Sequence, residues 1–142
     1  MSSMVFVNLP VQNLARSVSF YTHLGFKLNP DFSDDHAASM AWDDHFVIML
    51  LTHDFYQRFI GDKAIANTQT HSAALISFLM DSAEGVKAFG QKAVEHGGSV
   101  YRIDSGVSED VMFGLEVCDP DGNILEPTWM KPFETVDAGA SI

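Results

Sequence analysis

One plan written twice constrains this chain more than any other feature of its sequence. Near the start, MVFVNLPV alternates so that Val5, Val7, Leu9 and Val11 point one way while Phe6, Asn8 and Pro10 point the other, as a half-buried strand requires. The period then changes. In NLARSVSFYTHLGF, Leu14, Val18, Tyr21 and Leu24 follow helical spacing, Asn13 is placed to cap the first turn, and Gly25 can end the helix in a left-handed conformation. The second half starts again with a strand, AALISFLM, followed by DSAEGVKAFGQKAVEHGG. There Asp81 with Glu84 resembles a capping box, Val86, Phe89 and Ala93 form the buried stripe, and Gly97 and Gly98 stop the helix. Helices are therefore expected at about 13–24 and 82–96. Strands follow each helix: AASMAW and FVIMLL, turning at DDH, in the first half, and SVYRI, DVMFGLEVC and NILEPTW in the second. Each half reads strand, helix, then two or three strands, a duplication of structure with only faint residue identity.

A chain of 142 residues fits one compact domain with a real core. The expected organisation is a first module over about 4–52, a connection over about 53–72 with a short helix near 55–60, a second module over about 73–130 and a loose tail over 131–142. With 8 Lys and Arg against 19 Asp and Glu, the formal charge of −11 repels phosphate backbones and anionic lipid surfaces, so nucleic acid is not an expected partner. The apolar run FVIMLL is far too short to cross a bilayer, and the N-terminus lacks the pattern of a secretory signal. A lone cysteine, Cys118, fits a reducing compartment, and the cytoplasm is the expected location.

The segments NLPVQNLARSVSFYTHLGFKLN and DPDGNILE, set in this duplicated plan over residues 4–130, resemble the vicinal oxygen chelate superfamily, which includes glyoxalase I, extradiol dioxygenases, fosfomycin resistance enzymes and bleomycin resistance proteins. The resemblance implies an α+β fold in which two paired βαβββ modules form a curled mixed sheet around a cleft, with helices on the outer face. It also implies four cleft positions that hold a divalent metal in metal-dependent members. Those positions fall here on Phe6, Met49, Leu75 and Glu126. Phe6 and Leu75 carry no donor and a Met thioether suits soft ions, so no cofactor is expected, and a divalent metal is the lesser alternative. His53 and His71 flank the cleft strands, but none of the six histidines forms a spaced ligand pair on a helix.

Strand alternation then lines the cleft with Phe6, Asn8, Met49, Leu75, Ser77, Glu126 and Thr128, an apolar wall with a few polar points that suits a small organic molecule. Trp42, Trp129, Phe55, Tyr56 and Phe59 are candidates to shape its mouth, and an aromatic wall beside a carboxylate suits a cationic or flat organic ligand. Glu126 is the candidate catalytic group. A left-handed Gly122 after a type I turn would set Glu116 opposite it, whereas a two-residue loop would set Leu115 there, and the sequence leaves both open. The resemblance supports a small-molecule-binding, glyoxalase-like or bleomycin-resistance-like protein without the usual metal centre. The alternatives are a metal-dependent lyase or isomerase of the glyoxalase I type, and a non-catalytic structural or regulatory module. It further implies a homodimer, because members of this length commonly build the cleft across two chains.

Overall fold

The computed structural model of the chain describes residues 3–132, so most of the expected tail lies outside the described residues. In the first half, β1 (Val5–Val11) leads into α1 (Leu14–His23), then β2 (Lys27–Asn29), a 3-10 turn over Pro30–Phe32, β3 (Ala37–Ala41) and β4 (Phe46–Thr52). These strands form a sheet in the order β1-β4-β3-β2, with β1 and β4 parallel and the other pairs antiparallel. A connection carrying α2 (His53–Gln57) leads to β5 (Leu75–Leu79), α3 (Ala83–Glu95), β6 (Ser99–Tyr101), β7 (Met112–Gly114), β8 (Glu116–Cys118) and β9 (Ile124–Met130). The second sheet repeats the first: β5 runs parallel to β9, which pairs antiparallel with β7 and β8, and β6 closes the edge on β8.

Both main helices fall where their periodicity places them. Asn13 caps α1 by accepting from the Arg16 N–H, and Gly25 leaves it at φ 107°. For α3 the cap is Ser82, not Asp81: Ser82 is extended, and its hydroxyl accepts from the Gly85 N–H at 3.0 Å. DVMFGLEVC forms two strands, not one. Leu115 donates its N–H to the Pro127 carbonyl, but Pro127 has no N–H to return, so the ladder breaks between β7 and β8. The three-residue β2 was not expected from the sequence.

The helix-bearing faces of the two sheets share one core. Phe20 and Tyr21 of α1 and Leu24 at its C-cap pack with Met40, Ile48 and Leu50 of the first sheet and with Phe89, Val117 and Leu125 of the second half. Trp42 bridges the halves, with its ring 5.0 Å from Phe26, 5.3 Å from Phe78 and 5.8 Å from Phe89. Packed this way, the opposite faces of the two sheets are turned away from the common core.

The DPDGN turn fastens the halves. Asp119, buried, takes the Tyr21 hydroxyl at 2.8 Å and the Asn123 side-chain amide at 3.0 Å on Oδ2, and the backbone N–H groups of Asp121 and Asn123, each at 2.9 Å, on Oδ1. Asp121 accepts from the Gln12 N–H and meets Arg16 at 3.4 Å. The connection lies over the same turn, with Thr68 Oγ1 donating to the Asp121 carbonyl and Gln69 Nε2 to that of Pro120. Gly122 sits beneath it at φ 91°, where an added Cβ would run into the Thr68 carbonyl. Gly122→Ala is therefore expected to lower stability by about 1–2 kcal/mol, measured by urea unfolding. An unchanged midpoint would mean that the connection yields freely at this point.

Candidate functional site

Across the second sheet, away from the core, one row of side chains runs from strand to strand. Ser77 on β5 pairs with Glu126 on β9, and Tyr101 on β6 pairs with Glu116 on β8. The β8/β9 register sets Val117 opposite Leu125, which brings Glu116 opposite Glu126 one step further along. The left-handed Gly122 decides this alignment. The Asp119 N–H and carbonyl close the turn on Asn123 and Gly122, so the two glutamates share a face.

This row floors an open concavity of about 540 Å³ whose apolar walls include Leu75, Ile103, Met112 and Met130, with Thr128 beside Glu126. Ser77 Oγ donates to the Glu126 carbonyl at 3.3 Å, and Thr128 Oγ1 donates to it at 3.1 Å, which leaves the Glu126 carboxylate to the cavity. One oxygen of Glu116, Oε2, is buried without a hydrogen-bond partner. Burial first, then the hydrogen bond with Glu126 and repulsion from its charge, raise the Glu116 carboxyl from its ordinary 4.5 to about 7. Tyr101 is also pushed up, by burial and by the nearby Cys118, Glu116 and Glu126.

A raised carboxyl means that the native protein holds a proton which the unfolded chain releases. This group's contribution to stability is complete below its ordinary 4.5 and is lost as pH rises through about 7. Because the face is open to solvent, the expected loss is about 1–2 kcal/mol across that window. Urea unfolding across this pH range should show it, and Glu116→Gln should remove this part of the slope. A mutant that keeps the whole slope would place its origin elsewhere.

The first sheet presents a second concavity of about 540 Å³, lined by Phe6, Asn8, Phe32, Ser39 and Met49 among others. It continues into a groove of about 580 Å³ walled by Phe55, Tyr56 and Phe59. The seven expected cleft residues therefore divide: Leu75, Ser77, Glu126 and Thr128 come together on one sheet, and Phe6, Asn8 and Met49 on the other. Phe6 and Leu75 stand 54% and 58% exposed within the single chain. Of the expected aromatics, Trp42 lies against the core, Trp129 pairs with Phe113 on the face opposite Glu126, and Phe55, Tyr56 and Phe59 around α2 line the groove.

The donor chemistry of Phe6, Met49, Leu75 and Glu126, the residues expected at the superfamily's metal positions, does not fit a divalent ion. It offers one carboxylate, one thioether and two hydrocarbons, divided between two sheets. No histidine lines the concavity holding Glu126; His71 bonds Thr70 in the connection, and His53 opens α2.

Residues 3–40 match the family model described as bleomycin resistance protein-like N-terminal. No curated protein matches the chain by sequence. Among solved structures, a hypothetical protein from S. aureus superposes with a TM-score of 0.70 at 25% identity, covering 91% of this chain and 94% of that one. A glyoxalase-related enzyme from Fulvimarina pelagi gives 0.69 at 20% identity over 99% and 96%. A bleomycin-binding protein solved with bleomycin gives 0.62 at 16% identity over 92% and 100%. The duplicated βαβββ plan, these superpositions and the match over residues 3–40 together give the chain the fold of the vicinal oxygen chelate superfamily.

Proposed function

We propose that this chain binds a small organic cation in a metal-free cleft, formed when the apolar face of one copy's first sheet covers the glutamate-bearing face of a second copy's other sheet. The observation that carries this reading is the pair of open concavities, each floored by one sheet and each left with large exposed apolar side chains, including Leu79 at 65%. Apposing them would cover apolar surface and enclose the Glu116–Glu126 row. A likeness to a bleomycin-binding protein supports small-molecule binding as the class of activity. The half-exposed thiol of Cys118 suits a reducing compartment, and the cytoplasm is the proposed location.

Light scattering at micromolar concentration should give twice the 15.6 kDa chain mass. A monomer would remove the shared cleft from the proposal. Elemental analysis of protein purified without chelator tests the rest: about one zinc, nickel, manganese or iron per chain would favour the metal-dependent lyase or isomerase. A thermal-shift screen should find stabilising organic cations, and a flat response across chemically diverse compounds would favour a module without a ligand.

A further inference from the structure

We propose that the cleft takes up its cation in exchange for a proton: the Glu116 carboxyl, hydrogen-bonded to Glu126, gives up its proton as an organic ammonium group settles between the two side chains. The inference rests on the ligand-cleft reading above and adds how that site is regulated.

Geometry carries it. The hairpin register places the two glutamates directly opposite one another on a concave face, with Ser77 and Tyr101 at the ends of their row. The titratable groups facing Glu116 are Glu126 on β9, Tyr101 on β6 and its own strand neighbour Cys118; β5 contributes only the Ser77 hydroxyl. All three titratable neighbours become anions or stay neutral, so none supplies positive charge. Arg102, which follows Tyr101 on the chain, is committed elsewhere: it pairs with Glu109 at 2.6 Å and lies over the Phe113 ring, on the other face of the sheet. The covering surface adds nothing either, since the residues lining both first-sheet concavities include no Lys, Arg or His.

Two facing carboxyls without a counter-cation cannot both hold charge at low cost, so one keeps a proton and donates it to the other. The buried, unpartnered Oε2 of Glu116 fits the neutral form, because a charged oxygen there would lack any compensating donor. An ammonium group supplies that donor. The exchange balances as a carboxyl–carboxylate pair plus one ammonium cation giving a dicarboxylate–ammonium complex plus one free proton. No bond to carbon is made or broken. The apolar walls at Leu75, Met112 and Met130 hold the rest of the ligand, which places the cation at the end of a hydrophobic body.

The probes are 4-phenylbutylammonium, charged throughout the range tested, and its uncharged counterpart 4-phenylbutanol. Calorimetry in buffers of different ionisation enthalpy should register close to one proton released per ammonium bound at pH 5.5 and almost none at pH 8.5. Affinity should rise about 20-fold between pH 5.5 and 7.5 and then level off. Glu116→Gln should bind the ammonium with no proton release and a flat pH profile, and 4-phenylbutanol should behave as the mutant does. Ammonium binding without proton release, or a Glu116→Gln protein with the wild-type pH profile, would overturn the exchange. If the alcohol binds as tightly as the ammonium and shifts the methyl signals of Met112 and Met130, the exchange and the preference for a cation fall while small-molecule binding in the cleft stands. If neither probe moves those signals, both fall together.

Discussion

Asp119→Ala is expected to lower stability by about 3–5 kcal/mol and the thermal midpoint by roughly 10 °C. Two carboxylate oxygens on one side chain satisfy four donors: the Tyr21 hydroxyl, the Asn123 amide and two backbone N–H groups of the turn. Alanine removes all four acceptor contacts, and Tyr21, which has no exposed surface, is left with a buried hydroxyl facing nothing. The loss is not local to the turn. Tyr21 belongs to α1 and Asn123 reaches the Pro10 carbonyl of β1, so the same contacts hold the second half against the first. Burial raises the Asp119 carboxyl despite hydrogen bonds from Asn123 and Tyr21 that act the other way. The ionised form is therefore already costly, and Asp119→Asn, which keeps one acceptor oxygen and relieves the charge, should cost only about 1 kcal/mol. Urea unfolding of both variants decides the matter. An alanine variant no weaker than the asparagine one would mean that the turn is not the joint between the halves.

That joint also marks where the sequence could be read and where it could not. Helices, long strands and their order follow from local periodicity and from stops such as Gly25, because these signals need only near neighbours. Glu126 stood out for the same reason, as a carboxylate on a strand that otherwise reads apolar. Its pairing with Glu116 depended on one backbone angle, the positive φ of Gly122, and a glycine permits that conformation without requiring it. The break at Leu115 was written in Pro127, eleven residues from Glu116, but only the register sets that missing N–H opposite Leu115. The division of the cleft residues between two faces lay further out of reach. Alternation says which side chains share a face, whereas the way two sheets pack back to back is settled by aromatic contacts such as Trp42 with Phe78 and Phe89, across more than thirty residues of chain. Asp119 and Asp121 were legible only as a turn. The bond from Tyr21 to Asp119 joins residues 98 positions apart, and nothing local announces it.

Glu126→Gln separates a ligand anchor from a structural charge. The change keeps side-chain size and removes the charge, so affinity for an organic ammonium at pH 8 should fall by about 1.5–3 kcal/mol, the worth of a charge-assisted hydrogen bond. Stability should hold or rise. The glutamine amide can donate to Glu116 where a second carboxylate repelled it, and the part of the pH dependence that arises from the pair should shrink with that repulsion. Were Glu126 the partner of a buried Arg or Lys, the same change would leave that cation unpaired and lower stability by about 3–5 kcal/mol. Nothing in its surroundings favours that outcome. Among the described residues the two ion pairs of Arg or Lys with a carboxylate are Arg16 with Asp121 and Arg102 with Glu109, and Lys87 lies over the Phe113 ring at 5.0 Å, so no basic group waits on Glu126. A Glu126→Gln protein that melts well below the wild type and binds the ammonium unchanged would refute the ligand role and make the carboxylate part of the scaffold.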